Sequence, residues 1–159
     1  LRHINHPNSR VRIVTNSKTD HVERRVREVC EPVSNDLVHG LARKFDLDHD
    51  GSLYGWEPDF PVSISVPGML KREVYVRRPH YLKLVHVLLE QHDASPQRLT
   101  VAGDIWELDL AMWQQRGARI ICFENENTPS YLRTWFSTQQ NAHMVTSLAE
   151  LVQILRTPW

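Results

Sequence analysis

Few cysteines, few glycines and no long apolar run mark this chain of 159 residues, which has two Cys and six Gly. Cys30 and Cys122 stand far apart with no spacing of the zinc-ligand kind, which argues against a disulfide framework and a cysteine-based metal site. Buried thiols in a reducing cytosol are the expectation. Nine histidines are scattered without a His-Glu-x-x-His pattern, so a zinc-protease centre is excluded as well. An excess of charge of one sign is also lacking: 19 basic residues balance 19 acidic ones. No global field then draws the protein to nucleic acid or to an anionic membrane, and local sites must carry any specificity. No apolar stretch has the length of a bilayer span and no charged-then-apolar leader precedes the first strand, so the protein reads as cytoplasmic, with no membrane and no nucleic-acid partner.

What is present is a chain that is 41% hydrophobic, enough for one domain over 1–159 with a real core. Val11-Arg12-Ile13-Val14 reads as a strand that stops at Thr15-Asn16-Ser17, ahead of a polar helix from about Thr19 to Val29. Ser34 or Asn35 is placed to cap the next piece, in which Leu37, Val38, Leu41 and Ala42 leave helix and strand open. Between Phe45 and Arg77 lie an Asp50-Gly51 hairpin signal, alternation over Val62 to Val66, a Pro67-Gly68 turn and a return strand at Val74-Tyr75-Val76. This is a small β-rich insertion over 45–77. Pro79 suits the first position of a helix running to about Gln91, with Leu82, Val85, Leu88 and Leu89 on one face. Then follow a strand from Leu99 to Ala102, a helix from Trp106 to Gln115 stopped by Gly117, a strand over Arg119 to Phe123, a helix near Pro129 to Phe136, a strand at His143 to Val145 and a last helix from Ser147 to Leu155. Strands alternating with helices imply an α/β fold, a doubly wound parallel sheet of Rossmann type. Trp106 and Trp113 fall on one helix face and are expected in the core.

Open α/β sheets bind ligands beyond the carboxyl ends of their strands, and the chemistry-bearing residues fall there. Leu99 to Asp109 ends a strand on Gly103-Asp104 and adds Asp109 at the start of a helix. Two carboxylates on one rim suit a hard cation such as Mg²⁺, which keeps waters and a phosphate as its other ligands. The ordinary alternative is that Asp104 caps the helix, with Glu107 completing a capping box. Thr15-Asn16-Ser17 offers a hydroxyl and helix N-terminal amides to a phosphate, or again caps a helix. Arg78 sits at a helix entrance where the dipole adds to its charge, an arrangement that favours an anionic partner nearby.

In this order, a strand ending Thr15-Asn16, a basic residue before a proline at Arg78-Pro79, and Gly103-Asp104 with Asp109 five residues on, the chain resembles the haloacid dehalogenase-like (HAD) superfamily from about Val11 to Leu155. The resemblance implies a Mg²⁺-dependent hydrolase, foremost a phosphatase of a small phosphorylated substrate, with dehalogenation a less common option. It assigns Thr15 and Asn16 to the transferred phosphoryl group, Arg78 to the place of the usual lysine, with Lys44 as a substitute, and Asp104 and Asp109 to the metal. It also implies an Asp-x-Asp motif upstream of Val11, yet Leu1 to Arg10 contain no Asp. The nucleophile of an aspartyl-phosphate mechanism is therefore expected outside these residues, with this polypeptide the C-terminal part of a longer chain, or else the chain is a non-catalytic homologue.

A competing motif spans Asp46 to Glu57, where Asp46, Asp48, Asp50, Gly51 and Glu57 stand at EF-hand spacing. Pro58 and Pro61 oppose its exit helix, and an acidic loop with an Asp-Gly turn is the preferred reading. Three classes thus stay open: HAD-like phosphatase, calcium-binding module and inactive scaffold.

Overall fold

A computed structural model of the chain describes residues 10–29, 34, 36–68 and 70–157. Cys30, Asn35 and the segment 1–9 lie outside them. The first strand, β1 (Ile13–Val14), pairs in parallel with β2 (Val38–His39), Ile13 facing Val38 and Val14 facing His39. The crossover between them is α1 (Thr19–Val29), with the bounds its polar pattern predicts. The ambiguous stretch over Leu37 to Ala42 is thereby strand first and loop afterwards. Leu41 and Arg43 in that loop take φ of 54° and 47°, a left-handed conformation unfavourable for residues with a Cβ. Tertiary contacts must hold them there.

In the insertion, β3 (Ser63–Ile64) and β4 (Val74–Tyr75) form an antiparallel hairpin whose intervening turn has Gly68 at φ 74°. The hairpin expected at Asp50-Gly51 does not form. Gly51 has the left-handed φ, 78°, that a turn requires, but the Asp48 carboxylate accepts the Ser52 and Leu53 amides at 3.1 and 3.2 Å, taking up donors a partner strand would use.

Next comes α2 (Pro79–Glu90), which buries Tyr81, Leu82, Val85, Leu88 and Leu89 on one side. Then β5 (Thr100–Gly103), β6 (Arg119–Phe123) and β7 (Ala142–Val145) make a three-stranded parallel sheet in the order β5-β6-β7. The helix expected between β5 and β6 is broken in character: Trp106–Leu110 is a π-helical turn, in which the Ala111 amide reaches back to the Trp106 carbonyl, and α3 covers only Ala111–Gln115. Gly117, with φ 79°, stops it as expected. The chain closes with α4 (Tyr131–Ser137) and α5 (Leu148–Arg156). Ser147 caps α5 by accepting the Glu150 amide at 3.2 Å, while Glu150 reaches back one residue further to accept the Thr146 amide at 2.7 Å.

Among the described residues the architecture is mixed α/β with small parallel and antiparallel sheets and no barrel. Among the described residues β1 and β5 share no ladder, so the parallel strands form two sheets instead of the single one expected. Trp106, Trp113, Leu82, Leu110 and Ile120 are buried at the centre of one core. The Trp106 indole donates to Gln114 Oε1 at 2.7 Å, which satisfies its buried N–H.

The loop after β2 packs on the start of α1 through Gly40. A Cβ there would stand 2.4 Å from the Thr19 nitrogen and 2.6 Å from the Ser17 oxygen, both main-chain atoms that cannot swing aside. Gly40→Ala is expected to lower stability by about 1–3 kcal/mol, the scale of overpacking. Urea denaturation checks it, with Gly55→Ala, where a Cβ meets nothing within 4 Å, as the variant that leaves the midpoint unmoved.

Candidate functional site

Three loops at the carboxyl ends of β1, β2 and β5 are joined by a short chain of polar contacts. Asn16, just after β1, accepts the Lys44 amide through Oδ1 at 2.7 Å. This fixes the loop after β2, and the left-handed residues Leu41 and Arg43 turn it inward, so that Lys44 is 9% exposed. The Lys44 ammonium donates to Asp109 Oδ1 at 2.8 Å and lies 4.9 Å from the centre of the Tyr81 ring. Asp109, itself buried, uses its other oxygen to accept the Ile105 amide at 3.3 Å. Gly103 makes room for that carboxylate: a Cβ on it would lie 2.9 Å from Asp109 Cβ and 3.1 Å from Oδ2. The Tyr81 hydroxyl donates to the Asp109 carbonyl at 3.2 Å, and burial, then the Asp109 charge, hold the phenol far above its ordinary pKa.

Arg78 is held mainly by main-chain carbonyls. Its buried guanidinium donates from Nη1 to the Lys44 carbonyl, and from Nη2 to the Glu107 carbonyl at 2.8 Å and the Tyr75 carbonyl at 3.4 Å. A planar fork of donors is suited to gathering several oxygens at once. The group that faces a site carboxylate is Lys44, while Arg78 clamps the loops that carry Lys44 and Asp109. Burial lowers the Arg78 pKa, against the opposing pull of Asp109 and Glu107. Sequence reasoning ranked the two cations the other way because a charge before Pro79 is visible as a pattern, whereas the burial of Lys44 depends on loop geometry.

The capping alternative for Asp104 is not realised. The residue preceding the π-helical turn is Ile105, no side chain caps that turn, and Glu107 instead pairs with Arg72 at 2.7 Å and accepts the Tyr131 hydroxyl at 3.2 Å. The Asp104 side chain is exposed and engages no partner among the described residues. Thr15 Oγ1 accepts the Ser17 amide at 3.2 Å, leaving the hydroxyl proton to donate elsewhere. Asn16, Asp109 and Arg78 are therefore each hydrogen-bonded to Lys44, while Thr15 and Asp104 border the same strand ends without side-chain hydrogen bonds to them. Among the described residues no group of three or more His, Cys, Asp or Glu side chains gathers to hold a metal. The carboxylates at this strand end are the exposed Asp104 and the buried Asp109, whose two oxygens accept from Lys44 and the Ile105 amide. Beside it, the Cys122 thiol is pushed up to about 11, first by burial and then by Asp104 and Asp109, so it stays protonated at neutral pH and is no nucleophile.

The Asp46 to Glu57 motif disperses. Asp46 pairs with Arg43 and His80. Asp48 accepts the Trp56 indole N–H at 2.6 Å in addition to the two amides. Glu57, at the place of the bidentate calcium ligand, is gripped by both terminal nitrogens of Arg116 at 2.7 and 2.6 Å, which holds its pKa below the usual carboxylate value. No helix flanks the loop on either side, so it is an acidic structural loop docked on the core.

With this geometry in hand, comparison with protein-family models, curated proteins and solved structures gives no match.

Two outcomes follow for the contacts at this centre. Lys44→Met leaves Asp109 as an uncompensated buried charge and is expected to cost about 3–5 kcal/mol. The double variant Lys44→Met, Asp109→Leu is expected to recover most of that loss, and a cycle of urea midpoints measures the coupling. Arg78→Lys keeps the charge but cannot span three carbonyls, so a loss of about 1–3 kcal/mol in the same measurement is expected, the cost of leaving buried acceptors unpaired.

Proposed function

We propose that this chain carries the phosphate-handling and metal-handling part of a HAD-like hydrolase, a Mg²⁺-dependent phosphatase of a small phosphorylated compound. The observation that supports it is the contact chain from Asn16 through Lys44 to Asp109, which brings the ends of three parallel strands to one rim where such folds bind ligands. In this reading the strands belong to one doubly wound sheet. A further parallel strand would lie between β1 and β5, each an edge strand of its own sheet, and would bring the nucleophilic aspartate from outside these 159 residues.

Phosphoryl transfer needs little covalent chemistry from the protein beyond positioning and charge neutralisation. The Thr15 hydroxyl and nearby amides orient the phosphoryl oxygens. Lys44 offsets the charge of the carboxylates and phosphate together, and Arg78 keeps the loops in register without touching substrate. Asp104 would hold Mg²⁺ directly and Asp109 would orient its waters; bound there, the ion neutralises charge on the phosphoryl oxygens.

Mg²⁺ and inorganic phosphate, titrated together and followed by tryptophan fluorescence and calorimetry, test the reading. Phosphate is expected to bind only with Mg²⁺ present, and Asp104→Asn is expected to weaken that binding at least about tenfold, the scale seen even for outer partners of a metal. Absence of Mg²⁺-dependent phosphate binding by the folded chain would leave it an inactive scaffold.

A further inference from the structure

The second half of the acidic loop, residues 54–57, is seated on α2 and on the end of α3 by its side chains. The Tyr54 hydroxyl lies 3.0 Å from His86 Nδ1 on α2, with the two rings edge to face at 6.1 Å. Trp56 stacks on Phe60 at 5.3 Å and donates its indole N–H to Asp48. Glu57 is gripped by Arg116, the residue after α3, whose guanidinium also lies 4.6 Å from the centre of the Phe60 ring. Tyr54 and Trp56 are half-buried, while Gly55 and Glu57 are exposed. A segment held by a few polar contacts and two half-buried rings opens locally before the core does.

The charges at this seat are matched as long as the His86 ring is neutral. From the loop His86 is faced by Tyr54 and Glu57, from the end of α3 by Arg116, from α3 itself by the Trp113 ring at 6.4 Å, and from its own helix by Glu90. Arg116, its side chain 6% exposed, already has its counter-charge in the Glu57 carboxylate, held through both terminal nitrogens. A proton on His86 adds a second cation to that pair, beside two rings that keep water from it. Burial first, and then Arg116, lower the His86 pKa against the pull of Glu57 and Glu90. The hydrogen bond itself tolerates the proton, because the Tyr54 oxygen can accept from Nδ1 as well as donate to it. The penalty falls on the docking of the whole segment.

With the segment released, His86 meets water and takes up its proton near the ordinary imidazole value. The seat is therefore at full strength above that value and weakens as pH falls through it toward the lower value of the seated form. Glu57, held below the usual carboxylate value by Arg116, keeps its charge over this interval.

We propose that residues 54–57 form an acid-released strap, with His86 as the group whose protonation unseats it from α2 and Arg116. The inference does not rest on what the strand-end rim binds.

Amide hydrogen exchange read by NMR and corrected for its intrinsic pH dependence tests the strap at about pH 7.5 and about pH 5.5, on either side of the imidazole range. The Trp56 and Phe60 amides bond to the Tyr54 and Glu57 carbonyls. Their protection is expected to fall several-fold at the lower pH relative to that of the Ile120 amide in β6. His86→Gln, which can still bond Tyr54 but carries no charge, is expected to remove that dependence. The same dependence in His86→Gln, or a parallel fall at Ile120, overturns the strap. If His86→Gln does not fold, reciprocity supplies the second reading. Glu57→Lys, which Arg116 repels, releases the segment at every pH, and the His86 ring resonances should then titrate at a higher pH than in the native chain. A lysine held in the seat would by itself move that titration down, so an unchanged or lower midpoint overturns the proposal.

Discussion

The guanidinium of Arg78 is the contact on which the rest of the site depends. It meets main-chain carbonyls from the loop after β2, from the hairpin strand β4 and from the π-helical turn, three segments far apart in sequence. No ladder joins these segments, so without a shared donor each would settle independently. Burying a charge is unfavourable unless its hydrogen bonds are made, and here carbonyl oxygens take up both terminal nitrogens while Nε is left without a partner among the described residues. A neutral donor pair could not reach all three, and a lysine could not hold a plane.

Once those loops are fixed, the Lys44 and Asp109 pair follows. Lys44 leaves the same residue whose carbonyl Arg78 holds, and Asp109 lies two residues beyond Glu107, whose carbonyl is held too. Pairing across 2.8 Å in a nearly water-free setting is favourable only because both groups arrive already positioned. Gly103 contributes by its missing side chain, since the carboxylate folds back over the end of β5 where a Cβ would sit. The constraint is collective, and it explains why residues with a Cβ accept left-handed φ at Leu41 and Arg43.

The legibility of this arrangement in the sequence divides along the same line. Thr19–Val29, Pro79–Glu90 and Arg119–Phe123 were readable because helix and strand periods are local properties of the chain, and the structure places these elements within a residue of expectation. Gly103 and Asp109 were readable as a pair at a strand end, though the approach that needs the glycine comes from Asp109 and not from a ligand. The π-helical turn was not readable, because an extra residue in a turn leaves the apolar spacing over 106–115 almost unchanged. Asp50-Gly51 carried a true turn signal and a false hairpin, since whether the donors after it join a strand or the Asp48 carboxylate is decided by side-chain chemistry. Lys44 was visible only as a cation in an unplaced segment. Its role emerges from Asn16 and from two unfavourable φ values, neither of which has a signature in composition.

The two acids of the rim end in opposite states, and this bears on how a site of this kind divides its work. Asp109 is enclosed, paired with an ammonium and bonded to an amide, so its charge is already balanced and its position is set. Asp104, five residues earlier, is solvated and free of partners. Had both been paired, nothing would remain to attract a cation; had both been free, two like charges at one strand end would repel each other and each would be harder to ionise. Pairing one of them with Lys44 leaves Asp104 as the acid of this rim whose carboxylate has no hydrogen-bonded partner among the described residues.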